Sequence, residues 1–314
     1  MFYNVENLFD THDDSLKNDE EFLPRGERYW NNAKLNKKLN RITQVVLAAG
    51  QGTLPVLIGM CEVENHRVLE QLLYQTPLRQ LGYRLIHRES PDRRGIDVAL
   101  IYLNDVFVPL SYQTLGIHNQ RFPDLRTRDL LYVKGLLAGD TLHVFVNHWP
   151  SKYGGLLETK PLRALTAETV RTAVDSILNL YVESKIVLMG DFNDSPFDES
   201  IQDHLGALTS WQTIDQRCIY NMAFPLANSG KGSYKYQGSW SMIDQMMVSG
   251  TLLQSNSGLS THPDLFSIFS PAFLLESDKT YLGNKPFRTY IGFKYNDGFS
   301  DHLPVLLDLY RHNP

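Results

Sequence analysis

The chain has 314 residues, 42% hydrophobic and 21% charged, with 30 Lys+Arg against 35 Asp+Glu and a formal net charge of −5. This is ordinary globular usage, which excludes a disordered, collagen-like or coiled-coil chain. The longest apolar run, from Leu54 to just past Met60, falls far short of the roughly 20 residues of a membrane helix, and the missing basic excess speaks against coating nucleic acid by charge alone. Two cysteines, Cys61 and Cys218, are too few for a disulfide framework. Cys61 is expected as a buried, reduced thiol among apolar neighbours.

The opening MFYNVENLFD has neither the basic nor the apolar segment of a signal peptide. Phe2-Tyr3-Asn4-Val5 reads as the end of a buried strand, shorter than the usual roughly 5–6 residues. The natural chain is therefore expected to start earlier, with a leader, and cytoplasmic and exported locations both fit. Lys34 to Ala49 is predicted as an amphipathic helix, with Leu35, Leu39, Ile42, Val46 and Ala49 on one stripe and Lys34, Lys37, Lys38 and Arg41 off it. Pro55 to Cys61 is a continuous apolar run, as in a strand buried on both faces. Asn65 can cap a short helix carrying Val68, Leu69, Leu72 and Leu73.

Strands are predicted at Tyr83 to His87, Ile96 to Leu103 and Phe107 to Thr114. Leu130 to Leu137 and Thr141 to Asn147 flank Ala138-Gly139-Asp140, a hairpin signal. Pro161 to Tyr181 is the longest predicted helix, with Pro161 at its start, where a missing N–H is harmless. Lys185 to Gly190, Ile243 to Val248 and Pro304 to Tyr310 are further strands. Asn221 to Lys235 and Ser255 to Asn284, rich in Ser, Gly, Asn and Pro, are expected as long surface loops. Phe266, Phe269, Phe273 and Tyr281 would tether the second loop to the core or form a lid over a substrate. No repeat is visible, and the whole describes a mixed α/β chain, two sheets rather than one, in a single domain over 1–314.

The polar residues collect where apolar strands end. Asn4 and Glu6 follow Phe2-Tyr3, Glu62 and Glu64 follow Val56 to Cys61, and Asn147-His148 follow Val144 to Val146. Asp191 and Asn193 follow Ile186 to Gly190, Asp244 lies within Trp240 to Val248, and Asp301-His302 precede Pro304. Strand ends on a rigid scaffold are where catalytic groups concentrate. Each has an ordinary reading alone: Asp191 with Asn193 is an Asx-turn pattern, and a Glu after a strand is usually solvated.

Together, Glu62 ending one strand, Gly190-Asp191-Phe192-Asn193 ending another and Ser300-Asp301-His302 before the last resemble the pattern of the endonuclease/exonuclease/phosphatase superfamily. The match runs in order from Asn4 to His302. The resemblance implies a DNase I-like, four-layer α/β sandwich: two packed mixed β-sheets flanked by helices, with the site at one rim. It implies a metal-dependent phosphoester hydrolase using in-line attack of an activated water, either an endonuclease-like phosphodiesterase or a monoesterase of small or inositol-phosphate-type substrates. A binding module that has kept only the fold is a third reading.

Carried over by motif, Glu62 is the principal ligand of Mg²⁺ (with Mn²⁺ substituting), Asn4 and Glu6 stand beside it, and Asp301 shares the metal. Oxygen donors of this kind suit those cations. Asp191 orients or deprotonates the water, Asn193 holds the scissile phosphate, and His302, positioned by Asp244, donates to a phosphate oxygen. His148 corresponds to a second histidine, with Asp97 as its carboxylate partner. Asn147, Arg94 and Lys152 are candidate phosphate contacts, as are Arg93, Lys231 and Lys235 in nearby loops. Cys61 stands where many members have Gln, and Glu6 where Asp is usual. The partner is thus a nucleic acid or a small phosphorylated molecule, with no membrane span and the oligomeric state open.

Overall fold

The computed structural model describes residues 1–50, 52–118 and 122–312. In chain order its elements begin with β1 (Phe2–Leu8), α1 (Asn32–Ala49), β2 (Leu57–Val63), α2 (His66–Tyr74), β3 (Tyr83–His87), β4 (Asp97–Leu103) and β5 (Phe107–Leu115). There follow β6 (Leu130–Leu137), β7 (Asp140–His148), α3 (Leu156–Leu180), β8 (Lys185–Asp191), β9 (Ala207–Leu208), β10 (Ile219–Asn221), α4 (Phe224–Asn228), β11 (Tyr234–Tyr236) and β12 (Ser239–Ser241). The chain continues through β13 (Asp244–Ser249), α5 (Gly250–Gln254), β14 (Gly258–Ser260), β15 (Phe266–Ile268), β16 (Leu275–Ser277), β17 (Asn284–Pro286), β18 (Tyr290–Ile291), β19 (Lys294–Tyr295), β20 (Val305–Leu307) and β21 (Tyr310–His312).

Two mixed sheets carry the fold: six strands in the order β15-β20-β1-β2-β4-β3, and seven in the order β5-β6-β7-β8-β13-β10-β9. Strand alternation sorts their side chains into three apolar layers. Tyr3, Val5, Ile58, Met60, Ala99 and Ile101 face α1 and α2. Phe2, Cys61, Leu100, Val144, Met189 and Met246 meet between the sheets. Phe145, Ile186, Leu188 and Met247 pack under α3, against Val170 and Val174. Helix, sheet, sheet, helix is the four-layer sandwich that the resemblance implies, and its two sheets are those that the strand pattern predicts. No helix among the described residues is long and apolar enough to cross a membrane.

Several local expectations are met closely. Asn65 caps α2 through the Val68 N–H as expected, while α1 begins at Asn32 and is capped by Asn31 through the Lys34 N–H. Ala138 and Gly139, at φ of 52° and 90°, form a two-residue turn between β6 and β7. Cys61 is free and buried.

Other expectations need correction. The third helix starts five residues before Pro161, so that proline lies inside it. Pro304 to Tyr310 is not one strand: β20 joins the first sheet, while β21 pairs with β14. The stretches 221–235 and 255–284 hold short strands and helical turns, and β15 is the edge of the first sheet. Phe266 is in the core, and Phe269 and Phe273 pack against it, so these rings anchor the segment. Tyr281 is exposed. Lys38, off the helix stripe in sequence, is buried, and its ammonium donates to Thr289 Oγ1 and the Phe299 carbonyl, both at 2.6 Å.

Close approach between layers depends on glycines. A Cβ on Gly59 would stand 2.6 Å from Met189 Sδ, and one on Gly190 would stand 2.5 Å from the Asn147 carbonyl oxygen. The second contact is with backbone of the neighbouring parallel strand, which has no side-chain freedom to yield. Gly190→Ala is expected to destabilise the protein by about 1–3 kcal/mol through overpacking, read as a lower urea midpoint at an unchanged m-value; an unchanged midpoint would contradict this account.

Candidate active site

Pairing register assembles the rim. In the second sheet His148 lies opposite Asp191 on the parallel neighbour, and Asp191 opposite Asp244 on the antiparallel one, so three candidate residues form one row across β7, β8 and β13. In the first sheet Asn4 of β1 lies opposite Cys61 of β2. The strand exits are kinked: Glu6, Asn7, Glu62 and Asn193 all have φ between 51° and 61°. For non-glycine residues this left-handed region is unfavourable, and it turns side chains out of the strict strand alternation.

Asn4 joins the two sheets. Its Nδ2 donates to Asp191 Oδ2 at 3.0 Å and, more weakly, to Glu62 Oε1 at 3.4 Å, while its Oδ1 accepts from the Glu6 N–H. Glu62 Oε2 accepts from the Asn7 N–H at 2.9 Å. Asp191 Oδ1 accepts from the Asn193 N–H at 2.9 Å, the expected Asx turn, and Asn193 Nδ2 donates to the Trp149 carbonyl. Burial, aided by the charge of Asp244, pushes the Asp191 carboxyl up to about 7, against the opposing pull of His302.

His302 Nδ1 donates to Asp244 Oδ2 at 2.7 Å, and the same oxygen accepts from Ser233 Oγ at 2.6 Å. His302 Nε2 points back towards Asp191 Oδ2, 3.9 Å away. Burial opposes the imidazolium, but Asp244 and Asp191 outweigh it and hold the group well above the ordinary histidine range. Ser300 sets the loop, its Oγ donating to the Asn4 carbonyl at 2.7 Å and accepting from the His302 N–H. The Tyr234 ring lies over His302, with centroids 4.8 Å apart.

Several of the candidate residues have other partners than the sequence suggested. His148 does not pair with Asp97. It meets Arg128, whose Nη2 is 3.0 Å from His148 Nε2, and burial with the Arg128 charge holds its pKa well below the usual value. Asp97 instead faces His87 at 3.3 Å, because β4 begins beside the end of β3. The Glu6 carboxylate is engaged by Arg288 Nη2 at 3.1 Å and the Thr289 N–H at 2.6 Å, so it does not join Glu62. Asn147 is buried, donating to the Met189 carbonyl and accepting from Trp149 Nε1, with its amide spent on the scaffold. Lys152 pairs with Asp194 at 3.1 Å, and Lys235 with Asp278 at 2.9 Å.

Asp301 Oδ2 pairs with Arg288 Nη2 at 3.0 Å; burial would raise its pKa, but Arg288 and His302 lower it. Arg94 reaches Asn7 Oδ1 at 3.0 Å and is exposed, as are Arg93 and Lys231. Sequence reasoning missed Arg128, Arg288, Tyr234 and Ser233. No strand-end signal marks them, because tertiary packing alone brings them to the rim.

The donor chemistry around Glu62 fits a hard divalent cation. Glu62 is half-buried, with Asn4 beside it and the carboxylates of Asp191, Asp244 and Asp301 at the same rim. The Cys61 thiol lies within 4.8 Å of donor atoms of His148 and Asp191. Burial pushes it well above its usual pKa, which keeps it protonated and unsuited to soft-metal ligation.

The His302–Asp244 pair has a sign that can be checked. A histidine raised on folding lends stability that is complete at low pH and lost as pH climbs through its folded pKa. In wild type, ¹⁵N NMR at pH 7.5 should find His302 doubly protonated. In Asp244→Asn it should be neutral, and equal protonation in both would refute the assignment of Asp244 as the main support.

Comparison with known proteins agrees with this architecture. The sequence matches the profile of the endonuclease/exonuclease/phosphatase family over residues 1–311. A search of curated proteins finds no match. Among solved structures, a mannosyl-6-phosphatase of Bacteroides thetaiotaomicron is 14% identical with a TM-score of 0.59, covering 98% of each chain. The human Nocturnin catalytic domain with bound sulfate is 16% identical with a TM-score of 0.55, covering 88% of this chain and 87% of that one. D. rerio TDP2 complexed with a single-strand DNA product is 11% identical with a TM-score of 0.56, covering 88% and 92%. With the family profile spanning nearly the whole sequence on a four-layer sandwich, the chain belongs to the endonuclease/exonuclease/phosphatase family of phosphoester hydrolases.

Proposed function

We propose that this chain, acting as a single domain, is a divalent-metal-dependent phosphoester hydrolase that uses direct in-line attack of water. The observation that carries the reading is the buried row of Asp191 and Asp244 with His302 between them, and Asn4 tying Asp191 to Glu62. Glu62, with Asn4 and Asp301, would hold Mg²⁺ or Mn²⁺. When bound, the cation neutralises charge on the phosphoryl oxygens.

Asp191 is the group that takes the proton of the attacking water. A pKa near 7 balances availability of the carboxylate against basicity. The Asx turn fixes its Oδ1, so the proton goes to Oδ2, which accepts from Asn4 Nδ2 and lies 3.9 Å from His302 Nε2. His302, kept charged by Asp244, donates from Nε2 to a phosphate oxygen. Asn193 is held by Trp149 and offers its second amide hydrogen to the phosphate. These groups act by positioning and charge, the main requirements of phosphoryl transfer.

For the substrate, phosphodiester cleavage is the first reading. One observation favours the alternative, a small phosphomonoester. Two of the lysines expected to contact a nucleic-acid backbone, Lys152 and Lys235, are committed to carboxylates. A groove that neutralises many phosphates needs free cations; a single dianionic phosphate needs only a few, such as Arg94.

Two predictions test the reading. With Mg²⁺ or Mn²⁺, Asp191→Ala should lower kcat on bis-p-nitrophenyl phosphate or p-nitrophenyl phosphate by about 10²–10⁴-fold, with EDTA abolishing the wild-type rate. The variant's melting temperature should hold or rise, since a buried carboxylate with a raised pKa is removed. Near-wild-type turnover would sink the mechanism, and whichever ester is cleaved decides the substrate class. The wild-type kcat/KM should also climb with pH through about 7, as Asp191 loses its proton, and fall in alkali as His302 loses its own. A flat profile between pH 5 and 9 would contradict the role of Asp191.

A further inference from the structure

A second cluster of metal-ligating side chains sits at the mouth of the β3–β4 hairpin. His87 is the last residue of β3 and Asp97 the first of β4, and the loop 88–96 runs between them. Both side chains are about 1% exposed, and His87 Nε2 lies 3.3 Å from Asp97 Oδ2. Neither atom makes a hydrogen bond. Buried polar atoms are almost always satisfied, and leaving one unpaired costs about 1–3 kcal/mol. Two such atoms close together but misaligned for a mutual hydrogen bond have the geometry of ligands aimed at a common third point.

Glu89 supplies the next donor. One carboxylate oxygen of Glu89, one of Asp97 and a ring nitrogen of His87 all lie within 4.8 Å of one another. Glu89 is exposed, which gives the cluster a route to solvent. The other oxygen of Asp97 accepts from the Ser90 N–H at 3.0 Å, an interaction that fixes the carboxylate as outer-sphere partners fix metal ligands. We propose that His87, Glu89 and Asp97 form a second divalent-cation site, separate from Glu62 and suited to Zn²⁺. One imidazole and two carboxylates on a site open to water match the three-ligand zinc pattern, and the imidazole selects against Mg²⁺ and Ca²⁺.

Occupancy would fasten the 88–96 loop at its base. That loop carries Asp92, paired with Arg128 at 3.3 Å, and Arg94, bonded to Asn7. The site therefore braces the arm that sets Arg128 against His148.

Co²⁺ is the probe, because its visible absorption reports coordination number and it replaces Zn²⁺ readily. The metal-stripped full chain is titrated as wild type, Glu62→Gln, Glu89→Gln and His87→Asn, with bound metal counted by mass spectrometry after dialysis. Glu62→Gln should retain one equivalent of Co²⁺ with the intense absorption of low coordination. Glu89→Gln should weaken that equivalent by at least about 10-fold, and His87→Asn should abolish it. Glu89 is exposed, so its variant keeps the test valid even if His87→Asn fails to fold. No retained Co²⁺ in Glu62→Gln, or wild-type affinity for this equivalent in Glu89→Gln, overturns the proposal.

Discussion

Two buried carboxylates, Asp191 and Asp244, stand opposite each other on adjacent antiparallel strands, and the rim of this molecule is organised around their charge. Placed alone in a low-dielectric interior, two such groups could not both be ionised at neutral pH. The answer in this fold is asymmetric. Asp244 is given a hydroxyl and an imidazolium, whereas Asp191 receives an amide, a backbone N–H and a histidine only at 3.9 Å. Of the two, Asp191 is the one whose carboxyl is pushed up to about 7. Environment alone separates two chemically identical side chains.

The same rim concentrates backbone strain. Glu6, Asn7, Glu62 and Asn193 each occupy the left-handed region, at a cost of about 1–3 kcal/mol apiece. The cost is tolerated because the strands behind them are anchored in three apolar layers, which leave the exits little choice of position. Behind this first row lies a second ring of charge, in which Arg288 bridges Glu6 and Asp301, and Thr289 connects Glu6 to the buried Lys38 ammonium. Burial lowers Lys38 to about 8, yet the neighbouring Glu6 and Asp301 keep it a cation at neutral pH.

Much of this was legible in the sequence because strand ends have a local signature. Gly190-Asp191-Phe192-Asn193 encodes an Asx turn at the end of a buried strand, and it appears where the letters place it. Ser300 and His302 are likewise joined by a short-range backbone contact. Arg128, Arg288, Tyr234 and Ser233 had no such signature, since each arrives from an irregular segment whose path depends on distant packing. Lys38 misled for a related reason: the helical period places it off the stripe, but the 287–299 segment covers that side of α1 and turns a surface position into an interior one. His148 and Asp97 failed as a pair because sequence order says nothing of which carboxylate reaches which ring. Short strands at 258–260, 266–268 and 275–277 escaped because three residues carry too little alternation to be distinguished from loop.

The hydrogen bond from Ser300 to Asn4 spans 296 residues of chain. Contacts of such separation close late, because the loop they close must first be ordered. During synthesis β1 emerges from the ribosome long before its partner β20, and Asn4 long before Ser300 and His302. A nascent chain that ends between residues 245 and 301 carries Glu62, Asp191 and Asp244 without the imidazole of His302. The candidate centre is therefore completed in chain order by His302, whose imidazole joins carboxylates made long before it.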